Sequence, residues 1–394
     1  MLNNKTIVLG ITGGIAAYKA ADLASKLTQA GAKVEVVMTE AAMKFISPLT
    51  LRALTNRPVV TSMFDMASEW SIEHVSLADA ADVIVVAPAT ADIIAKLAVG
   101  IADEMILTTV LATKAPVIVV PAMDVNMFEN AATQENIGKL RARGFVIIEP
   151  GYGRMASGKI GRGRFPDTGI IIGTIEKVLG QTGDLAGKRF VVTAGGTQEP
   201  VDPVRVITNR SSGKMGYALA EAARNRGAEV ALITAPTGLQ DPIGVETIHV
   251  STALEMKDAV VKAVEKADVL IMAAAVADYR PKTIAKEKIK KTAGEMTIEL
   301  TRTPDILAEV KGNFLKVGFA AESENVVKNA AEKLQRKHLD LIVANDITDT
   351  SSGFGVDTNK VTIIDKEGTT EDLPLMTKRE VADKILDRVV PLLR

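Results

Sequence analysis

The chain has 394 residues, which is enough for two domains of ordinary size, each with its own core. Its 47% hydrophobic and 24% charged content is typical of a soluble globular protein, and a formal net charge of -1 provides no basic field for nucleic acid. The absence of cysteine excludes disulfides, thiolate metal sites and a cysteine nucleophile, and His74, His249 and His338 are too scattered along the chain to predict a metal cluster.

The N-terminal residues 1–10 run directly into a strand-like segment, without a basic n-region or a cleavage signal. No apolar run in the chain reaches the roughly 18 residues that a membrane span requires. We therefore expect a cytoplasmic protein without a membrane partner, and the lack of cysteine fits a reducing compartment.

Short runs rich in valine and isoleucine alternate with longer amphipathic stretches through the first half of the chain. A helical pattern at residues 16–31 separates the first two runs. Continuous apolar strands separated by helices are typical of a parallel sheet covered on both faces, and right-handed crossovers favour a doubly wound topology. The predicted strands are residues 6–12, 33–39, 82–88, 116–122 and 145–150.

The same pattern starts again after the turn-rich segment 182–188. We predict a domain junction near residues 181–188 and two related three-layer α/β domains, residues 1–186 and 187–394. The alternative is one large sheet, which is less expected because open sheets rarely exceed about ten strands. The predicted strands of the second domain are residues 189–196, 229–236, 268–275, 316–322 and 339–346.

Ligands of open α/β sheets bind beyond the carboxyl ends of the strands, so the residues directly after each predicted strand carry the functional signal. Gly13 and Gly14 follow the first strand and would let a ligand approach the backbone at the start of a helix, where a phosphate is well held. The alternative is an ordinary tight strand–helix turn. The spacing is not GxGxxG, which makes a conventional nicotinamide dinucleotide domain less expected.

The second half contains a richer set of polar residues after its strands. The loop 209–214, Asn-Arg-Ser-Ser-Gly-Lys, offers amides, hydroxyls and a cation to an anion at a helix start, although it is not a Walker A loop. For Asn209 the alternative is a purely conformational role, because asparagine tolerates left-handed backbone. Asp278 and Lys288 suggest metal-assisted charge neutralisation and triphosphate binding, with a solvated lysine run as the alternative.

Motifs in both halves resemble the bifunctional proteins of bacterial coenzyme A biosynthesis, the Dfp/CoaBC family. The resemblance covers essentially all 394 residues, in order. In the first half, ITGGIAAYKAADL, VMTEAAMKFISPLTL, VVAPATADIIAKLAVGIADEM, PAM and GRMASGKIGRGR resemble FMN-dependent phosphopantothenoylcysteine decarboxylases. In the second half, VTAGGTQEPVDPVR, ITNRSSGKMGYALA, AAAVADYRP, EKIKK, TPDIL, VGFAAE and ANDI resemble the fused phosphopantothenate–cysteine ligase.

The resemblance implies a flavodoxin-like flavoprotein domain in the first half, with His74 as the essential histidine. Met123 and Asp124 fall in its substrate-binding motif, and residues 153–164 match a flexible clamp in which Ser157 has the catalytic position. In such enzymes a flavin oxidises the cysteinyl side chain to a thioaldehyde, carbon dioxide leaves, and the electrons return while an acid protonates the enethiolate. The implied FMN positions are Gly13, Gly14, Thr39, Pro88, Ala89, Thr90 and Ala91.

For the second half the resemblance implies a Rossmann-like ligase domain. CTP, with Mg²⁺, would activate the carboxylate of 4'-phosphopantothenate as an acyl-cytidylate, which the amine of cysteine attacks. Asn209 would stabilise the acyl intermediate and Lys288 would neutralise developing charge. The implied nucleotide positions are Met272, Ala273, Ala274, Asp278, Lys288, Pro304, Asp305, Ile306, Leu307, Phe319, Lys333 and Lys337.

Three residues of the first half depart from the family pattern: Asp124 replaces an asparagine, Ser157 a cysteine, and Lys159 a residue that is commonly an acid. A hydroxyl is far less acidic than a thiol of pKa about 8.5, and the Asp124 carboxylate would repel the substrate carboxylate unless it were protonated or paired. We expect the decarboxylase to be active with another proton donor. Lys159 could supply that proton, or it could pair with Asp124.

Two other functions remain open from the sequence. In one, the second half is an active ligase and the first half only binds FMN or supports assembly. In the other, the chain is a tandem nicotinamide-dependent oxidoreductase, which fits the fold but not the motifs. The resemblance further implies a homo-oligomer, in which trimeric flavoprotein halves and dimeric ligase halves form a dodecamer.

Overall fold

The computed structural model describes residues 2–63, 73–290, 295–322, 325–346, 352–353 and 355–393. The chain forms two compact units, Met1–Leu179 and Gly180–Arg394. Each unit contains a sheet with helices on both faces, which confirms the predicted fold class of two doubly wound α/β domains.

The first unit is organised around a parallel sheet of six strands in the order β3-β2-β1-β4-β5-β6, followed by an antiparallel hairpin of β7 and β8. The strands in the described residues are β1 (Thr6–Ile11), β2 (Lys33–Met38), β3 (Val59–Val60), β4 (Val83–Ala89), β5 (Val117–Pro121), β6 (Val146–Ile147), β7 (Gly151–Arg154) and β8 (Ile160–Arg164).

Successive side chains of β1 enter two different cores. Ile7 and Leu9 pack on one face of the sheet and Val8 packs on the other. Both faces are therefore buried, as the continuous apolar runs predict. Besides a 3₁₀ turn at Ile15–Tyr18, the described helices of this unit are α1 (Lys19–Gln29), α2 (Glu40–Met43), α3 (Pro48–Thr55), α4 (Glu73–Ala80), α5 (Ala91–Val99), α6 (Met105–Ala112), α7 (Val125–Glu129), α8 (Ala131–Ala142) and α9 (Thr168–Gly180).

Strand β3 is only two residues long and lies at the sheet edge. Without it the strand order becomes 2-1-3-4-5, the flavodoxin-like order that the resemblance implies. Successive strands are added on one side of β1 up to β3 and on its other side from β4 onwards. This reversal of strand order places a crevice at the carboxyl ends of β1 and β4.

The second unit has an eight-stranded sheet in the order β13-β12-β9-β14-β17-β18-β20-β21, and its last two strands run antiparallel to their neighbours. The other strands form two-stranded pairs. The described strands are β9 (Arg189–Ala194), β10 (Gln198–Pro200), β11 (Val206–Thr208), β12 (Glu229–Thr234), β13 (Glu246–His249), β14 (Val269–Met272), β15 (Tyr279–Pro281), β16 (Leu300–Arg302), β17 (Leu315–Glu322), β18 (Leu341–Asp346), β19 (Thr358–Asn359), β20 (Val361–Asp365), β21 (Thr370–Asp372) and β22 (Met376–Thr377).

Helices cover both faces of this second sheet as well. Phe190 and Val192 of β9 belong to one core and Val191 to the other. A crevice again forms where the order reverses, between β9 and β14. With 3₁₀ turns at Val264–Lys266 and Val390–Leu393, the described helices are α10 (Lys214–Asn225), α11 (Ala253–Ala263), α12 (Ile306–Glu309), α13 (Val326–Arg336) and α14 (Lys378–Val389).

Among the described residues, no helix combines the length and the apolar character that crossing a membrane demands.

Candidate active sites

In the first unit, a buried threonine joins the two loops at the crevice. The Thr12 hydroxyl donates to the carbonyl of Pro88 at 2.8 Å and accepts from the Thr90 amide at 3.1 Å. Thr12 follows β1 and Thr90 follows β4, so these hydrogen bonds fix one loop against the other. The predicted residues Pro88 and Ala89 are buried at the end of β4, and the peptide bond preceding Pro88 is cis.

Gly13 and Gly14 have different surroundings, although both follow β1. A Cβ atom at Gly13 would collide with Ala41 in α2, whereas one at Gly14 would lie 3.8 Å from the Thr90 methyl group. Gly13 is therefore required by packing within the protein. Gly14 leaves space for a methyl group, so any stricter requirement for glycine there would come from a bound ligand.

Two threonines cap the helices that follow β2 and β4. The Thr39 hydroxyl accepts from the Ala42 amide at 3.1 Å, and the Thr90 hydroxyl accepts from the Ile93 amide at 3.3 Å. Ala91 is the first residue of α5. The structure thus brings the predicted flavin-binding residues to one edge of the sheet, beside the N-terminus of α5, which favours negative charge.

The predicted clamp is the hairpin of β7 and β8. Its tip is closed by hydrogen bonds from the Met155 amide to the Lys159 carbonyl and from the Gly158 amide to the Met155 carbonyl, each 2.9 Å long. The base of β8 lies against the segment after β5, because the Met123 amide donates to the Gly163 carbonyl at 2.9 Å. A Cβ atom at Gly161 would lie 2.6 Å from Val125, so the hairpin packs closely on this segment.

The three residues that depart from the family pattern meet at the hairpin tip. The Ser157 hydroxyl donates to Asp124 Oδ2 at 2.7 Å, and Lys159 Nζ donates to Asp124 Oδ1 at 3.0 Å. Asp124 also caps α7 by accepting from the Asn126 amide at 3.1 Å. The hydrogen bonds from Ser157 and Lys159 hold the pKa of the Asp124 carboxyl below its ordinary value, so Asp124 is an ionised, paired carboxylate at neutral pH.

His74 lies in the first turn of α4 and is half-buried. In the described part of the chain, the hydrogen bonds that link the other predicted residues of this unit do not involve His74. Residues 64–72, which precede the helix, lie outside the described part of the chain. Its catalytic role therefore stays a prediction.

In the second unit, closely packed glycines form the crevice after β9. Gly195 and Gly213 both have left-handed backbone, with φ of 80° and 76°. A Cβ atom at Gly213 would lie 2.6 Å from the Thr237 methyl group and 3.3 Å from the Gly195 amide nitrogen. The loop that begins α10 can therefore reach the Gly195–Gly196 turn only because these positions lack side chains.

Asn209 contacts the loop after β14. Its Nδ2 atom donates to the carbonyls of Ala275 and Val276, each at 3.3 Å. Asn209 is not one of the described residues with positive φ, so its backbone gives no support to a purely conformational role. The contact brings Asn209 beside the predicted nucleotide-binding residues Ala273 and Ala274.

Two buried threonines, to which the sequence analysis gives no role, hold the loop after β14. The Thr193 hydroxyl accepts from the Ala274 amide at 3.1 Å, and the Thr197 hydroxyl accepts from the Ala277 amide at 2.9 Å. Both side chains are fully buried. Their position at the end of the first strand of the domain is the signal that would have identified them.

The remaining nucleotide-binding candidates lie near α12 and α13. Lys333 and Lys337 are one helical turn apart, and their amines donate to the Phe319 carbonyl at 2.8 Å and to Asp305 Oδ1 at 3.0 Å. Asp305 also caps α12. Pro304 precedes this cap, Met272 ends β14, and Ile306 and Leu307 are buried in the first turn of α12.

Asp278 and Lys288 have exposed side chains. The Asp278 carbonyl accepts from the Thr303 amide at 3.0 Å, which ties it to the segment before Pro304. Lys288 lies in a separate segment, and residue 291 of the same lysine run lies outside the described residues. In the described part of the chain no group of three or more His, Asp or Glu side chains could hold a metal ion.

The predicted cation of the loop 209–214 has partners within the unit. The Lys214 amine donates to Asp357 Oδ1 at 2.7 Å and to the Gly355 carbonyl at 3.0 Å. Lys214 therefore holds residues 355–357, and its part in anion binding stays a prediction. The Ser211 amide donates to the Asn209 carbonyl at 2.8 Å, so it too is engaged within the unit.

Comparison with known proteins gives two adjoining family matches. Residues 1–180 match the Flavoprotein family, and residues 185–392 match the family of the DNA/pantothenate metabolism flavoprotein C-terminal domain. Two full-length relatives carry the name coenzyme A biosynthesis bifunctional protein CoaBC. The protein from Bacillus subtilis (strain 168) is 48% identical over 398 residues, covering 100% of this chain and 98% of its own length. The protein from Escherichia coli (strain K12) is 46% identical, with coverages of 99% and 97%.

One solved structure, the C-terminal domain of a coenzyme A biosynthesis bifunctional protein CoaBC, is 46% identical in sequence. It covers 53% of this chain and 97% of the solved chain, with a TM-score of 0.46.

Proposed function

Because the chain belongs to the family of bifunctional coenzyme A biosynthesis proteins, we propose that its two units perform successive reactions on one substrate. The second unit joins cysteine to 4'-phosphopantothenate with CTP, and the first unit decarboxylates the product to 4'-phosphopantetheine. The observation that supports this proposal is that several predicted residues lie at the carboxyl edge of each sheet: Gly13, Gly14, Pro88 and Thr90 in the first unit, and Asn209, Ala273 and Ala274 in the second. Family membership of both halves leaves no support for a tandem nicotinamide-dependent oxidoreductase.

For the ligase, we propose that the nucleotide binds between the loop after β14 and helices α12 and α13. Lys333 and Lys337 supply positive charge there, and exposed Lys288 neutralises the charge that develops on the triphosphate. Asn209 lies beside Ala275 and Val276, where its amide could donate to an acyl oxygen instead. Since the described residues form no metal cluster, Mg²⁺ would arrive on the phosphate oxygens of CTP.

For the decarboxylase, we propose that FMN binds along the loops after β1, β2 and β4. The space at Gly14, the cap at Thr90 and the N-terminus of α5 suit a phosphate-bearing group, so the residues present fit this cofactor. When bound, FMN supplies the two-electron oxidation of the cysteinyl group and its later reversal. Thr12 keeps the two loops at a fixed separation, and the clamp hairpin covers the substrate and excludes water.

The pairing of Asp124 favours an active decarboxylase over a unit retained only for binding or assembly. An unpaired carboxylate would repel the carboxylate that the substrate must lose. Lys159 neutralises Asp124, so this repulsion is removed without changing the residue. We propose that His74 takes part in the oxidation step and that the clamp delivers the final proton.

A coupled assay tests both reactions at once. The full chain would receive 4'-phosphopantothenate, cysteine, CTP and Mg²⁺, and CMP, the cysteine adduct and the decarboxylated product would be quantified separately by mass spectrometry. We expect all three to form. CMP and adduct without 4'-phosphopantetheine would refute the decarboxylase, and a colourless protein that forms no CMP would refute both proposals.

The cofactor site has its own test in the glycine pair after β1. A Gly14→Ala variant adds a methyl group that the protein itself accommodates, whereas Gly13→Ala disturbs the packing on Ala41. We expect Gly14→Ala to keep the fold but lose bound flavin, measured as the absorbance of the yellow protein. Unchanged flavin content in this variant would contradict the proposed approach of FMN to Gly14.

We also propose that the chain assembles into a homo-oligomer, with a dodecamer as the expected form. Several large apolar side chains of the first unit are exposed, and such surface is commonly covered in assemblies. Light scattering after size-exclusion chromatography would measure the mass, and a monomer would contradict the proposal. The exposed residues are Ile15, Tyr18, Leu49, Val99 and Leu111.

A further inference from the structure

The segment that carries Lys288 is fastened to the turn between β10 and β11. The Ala285 amide donates to the Val201 carbonyl at 3.0 Å, and Arg205 Nη2 donates to the Ile289 carbonyl at 2.7 Å. The Ile289 amide in turn donates to Asp202 Oδ2 at 3.1 Å. Lys288 therefore lies between two anchored points, and both backbone polar groups of the residue after it are held.

Asp202 is the centre of this attachment. Its side chain is fully buried, and its two oxygens have different partners. Oδ1 accepts from the amides of Val204 and Arg205, both at 2.8 Å, which is the hydrogen bonding of an ordinary aspartate turn. Oδ2 accepts from Arg205 Nε at 2.9 Å, from Arg205 Nη2 at 2.6 Å and from the Ile289 amide.

The carboxylate is charged despite its burial. Burial acts to raise the pKa of Asp202, but the guanidinium of Arg205 and the surrounding amides hold that pKa well below its usual range. A turn needs only Oδ1, which an asparagine would also provide. The buried charge and Oδ2 therefore serve the contacts with Arg205 and the Ile289 amide, and these contacts attach the Lys288 segment.

We propose that Asp202 is a positioning residue for the ligase reaction: with Arg205, it holds the backbone on which Lys288 reaches the nucleotide. This inference rests on the proposed function of the second unit. Lysine has a long, flexible side chain, so its amine is well placed only if its backbone is fixed. A displacement of about 1 Å at a catalytic group can reduce a rate roughly 100-fold.

Asp202→Asn separates this role from simple support of the hairpin. The asparagine oxygen would keep the hydrogen bonds to Val204 and Arg205, so the turn would persist. Its NH₂ group would replace Oδ2 and face two donors, the guanidinium and the Ile289 amide, with which it cannot bond. Arg205→Lys is a second variant, because one ammonium cannot reproduce the paired contacts of the guanidinium with Asp202 and Ile289.

The matched control is Glu199→Gln. Glu199 is a buried carboxyl residue on the neighbouring strand β10, but its hydrogen bond is with the Ala253 amide at the start of α11, away from the three hydrogen bonds that fasten the Lys288 segment. A glutamine oxygen can accept the same hydrogen bond. This variant changes a buried carboxyl group in the same hairpin while leaving the attachment intact.

The experiment uses the full chain with CTP, Mg²⁺, 4'-phosphopantothenate and cysteine, and compares the variants D202N, R205K, K288Q, D202N/K288Q and E199Q. We expect D202N and R205K to lower kcat/KM for CMP formation by about 10- to 100-fold. D202N/K288Q should be no slower than K288Q alone, and E199Q should stay within a few-fold of the parent chain. Hydrogen exchange at residues 285–290 should be faster in D202N.

Separate outcomes distinguish the two levels of the proposal. If the losses of kcat/KM caused by D202N and K288Q multiply in the double variant, Asp202 does not act through Lys288 and this inference is wrong. Unchanged hydrogen exchange at residues 285–290 in D202N would contradict it equally. Full ligase activity in K288Q would overturn it as well. A parent chain that forms no CMP would instead overturn the proposed ligase itself, and the inference with it.

Discussion

Gly213 offers a sharp test of whether the glycine crevice of the second unit serves the ligase. In Gly213→Ala, a residue with a side chain must adopt φ near 76°, which costs about 1–2 kcal/mol. The new methyl group would also lie 2.6 Å from the Thr237 methyl group, and relieving such an overlap costs about 1–3 kcal/mol. The sum, roughly 2–5 kcal/mol, disfavours the native loop by more than a factor of ten.

A matched control is available in the same unit. Gly187 has the same φ of 76°, and a Cβ atom there would meet no atom within 4 Å. Gly187→Ala therefore carries the backbone cost without the overlap. Any difference between the two variants measures the contact between the loop that begins α10 and Thr237.

The assay is CMP formation by the ligase, accompanied by decarboxylation of the purified cysteine adduct as an internal reference in the other unit. We expect Gly213→Ala to lose at least about tenfold in ligase kcat/KM, whereas Gly187→Ala keeps its ligase rate. Both should decarboxylate the adduct at the parent rate. Equal ligase losses in the two variants would refute the reasoning, because the crowding at Gly213 would then be irrelevant.

Three further predictions concern titratable groups. Ser157→Cys should raise the ratio of 4'-phosphopantetheine to unreduced enethiol, because a thiol of pKa about 8.5 is a far better acid than a hydroxyl; an unchanged ratio would place the proton source elsewhere. Lys159→Met should raise KM for the cysteine adduct by exposing Asp124, with CMP formation as the unaffected control. Burial, with the charge of Lys214, lowers the pKa of Lys378 from 10.5 to about 8. Between these values the unfolded chain binds more protons, so stability should rise with pH from 8 to 10.5, and urea midpoints should show no such rise in Lys378→Met.

The doubly wound topology could be predicted from the sequence, because long apolar runs separated by helices leave few alternatives. The exceptions are the short edge strand of the first sheet and the antiparallel strands of the second. Strand β3 has two residues, and β20 and β21 extend the second sheet in the antiparallel direction. A strand as short as β3 carries little sequence signal of its own, whereas the apolar residues of β20 indicate a strand but not its antiparallel direction.

The placement of the candidate residues was predictable to the level of the sheet edge, but their pairing was not. Lys214 and Asp357 are 143 residues apart, and their contact depends on how two distant loops pack. The exception is the pair of Asp124 and Lys159, 35 residues apart, which was one of the two roles that the sequence offered for Lys159. Asp202 has a local sequence signal, an aspartate three residues before an arginine, but its bond to Ile289 depends on tertiary structure.

In both units, a threonine hydroxyl joins two loops at the carboxyl edge of the sheet. In each, a fully buried threonine after the first strand accepts a hydrogen bond from an amide after the fourth strand, Thr12 from Thr90 and Thr197 from Ala277. These bonds cross the point where the strand order reverses, which is where α/β proteins bind their ligands. Because a hydroxyl can accept and donate at once, it joins two loops without the bulk that would fill the crevice. The chain therefore keeps both crevices open and rigid with one small polar side chain each, and leaves the chemistry to the residues around them.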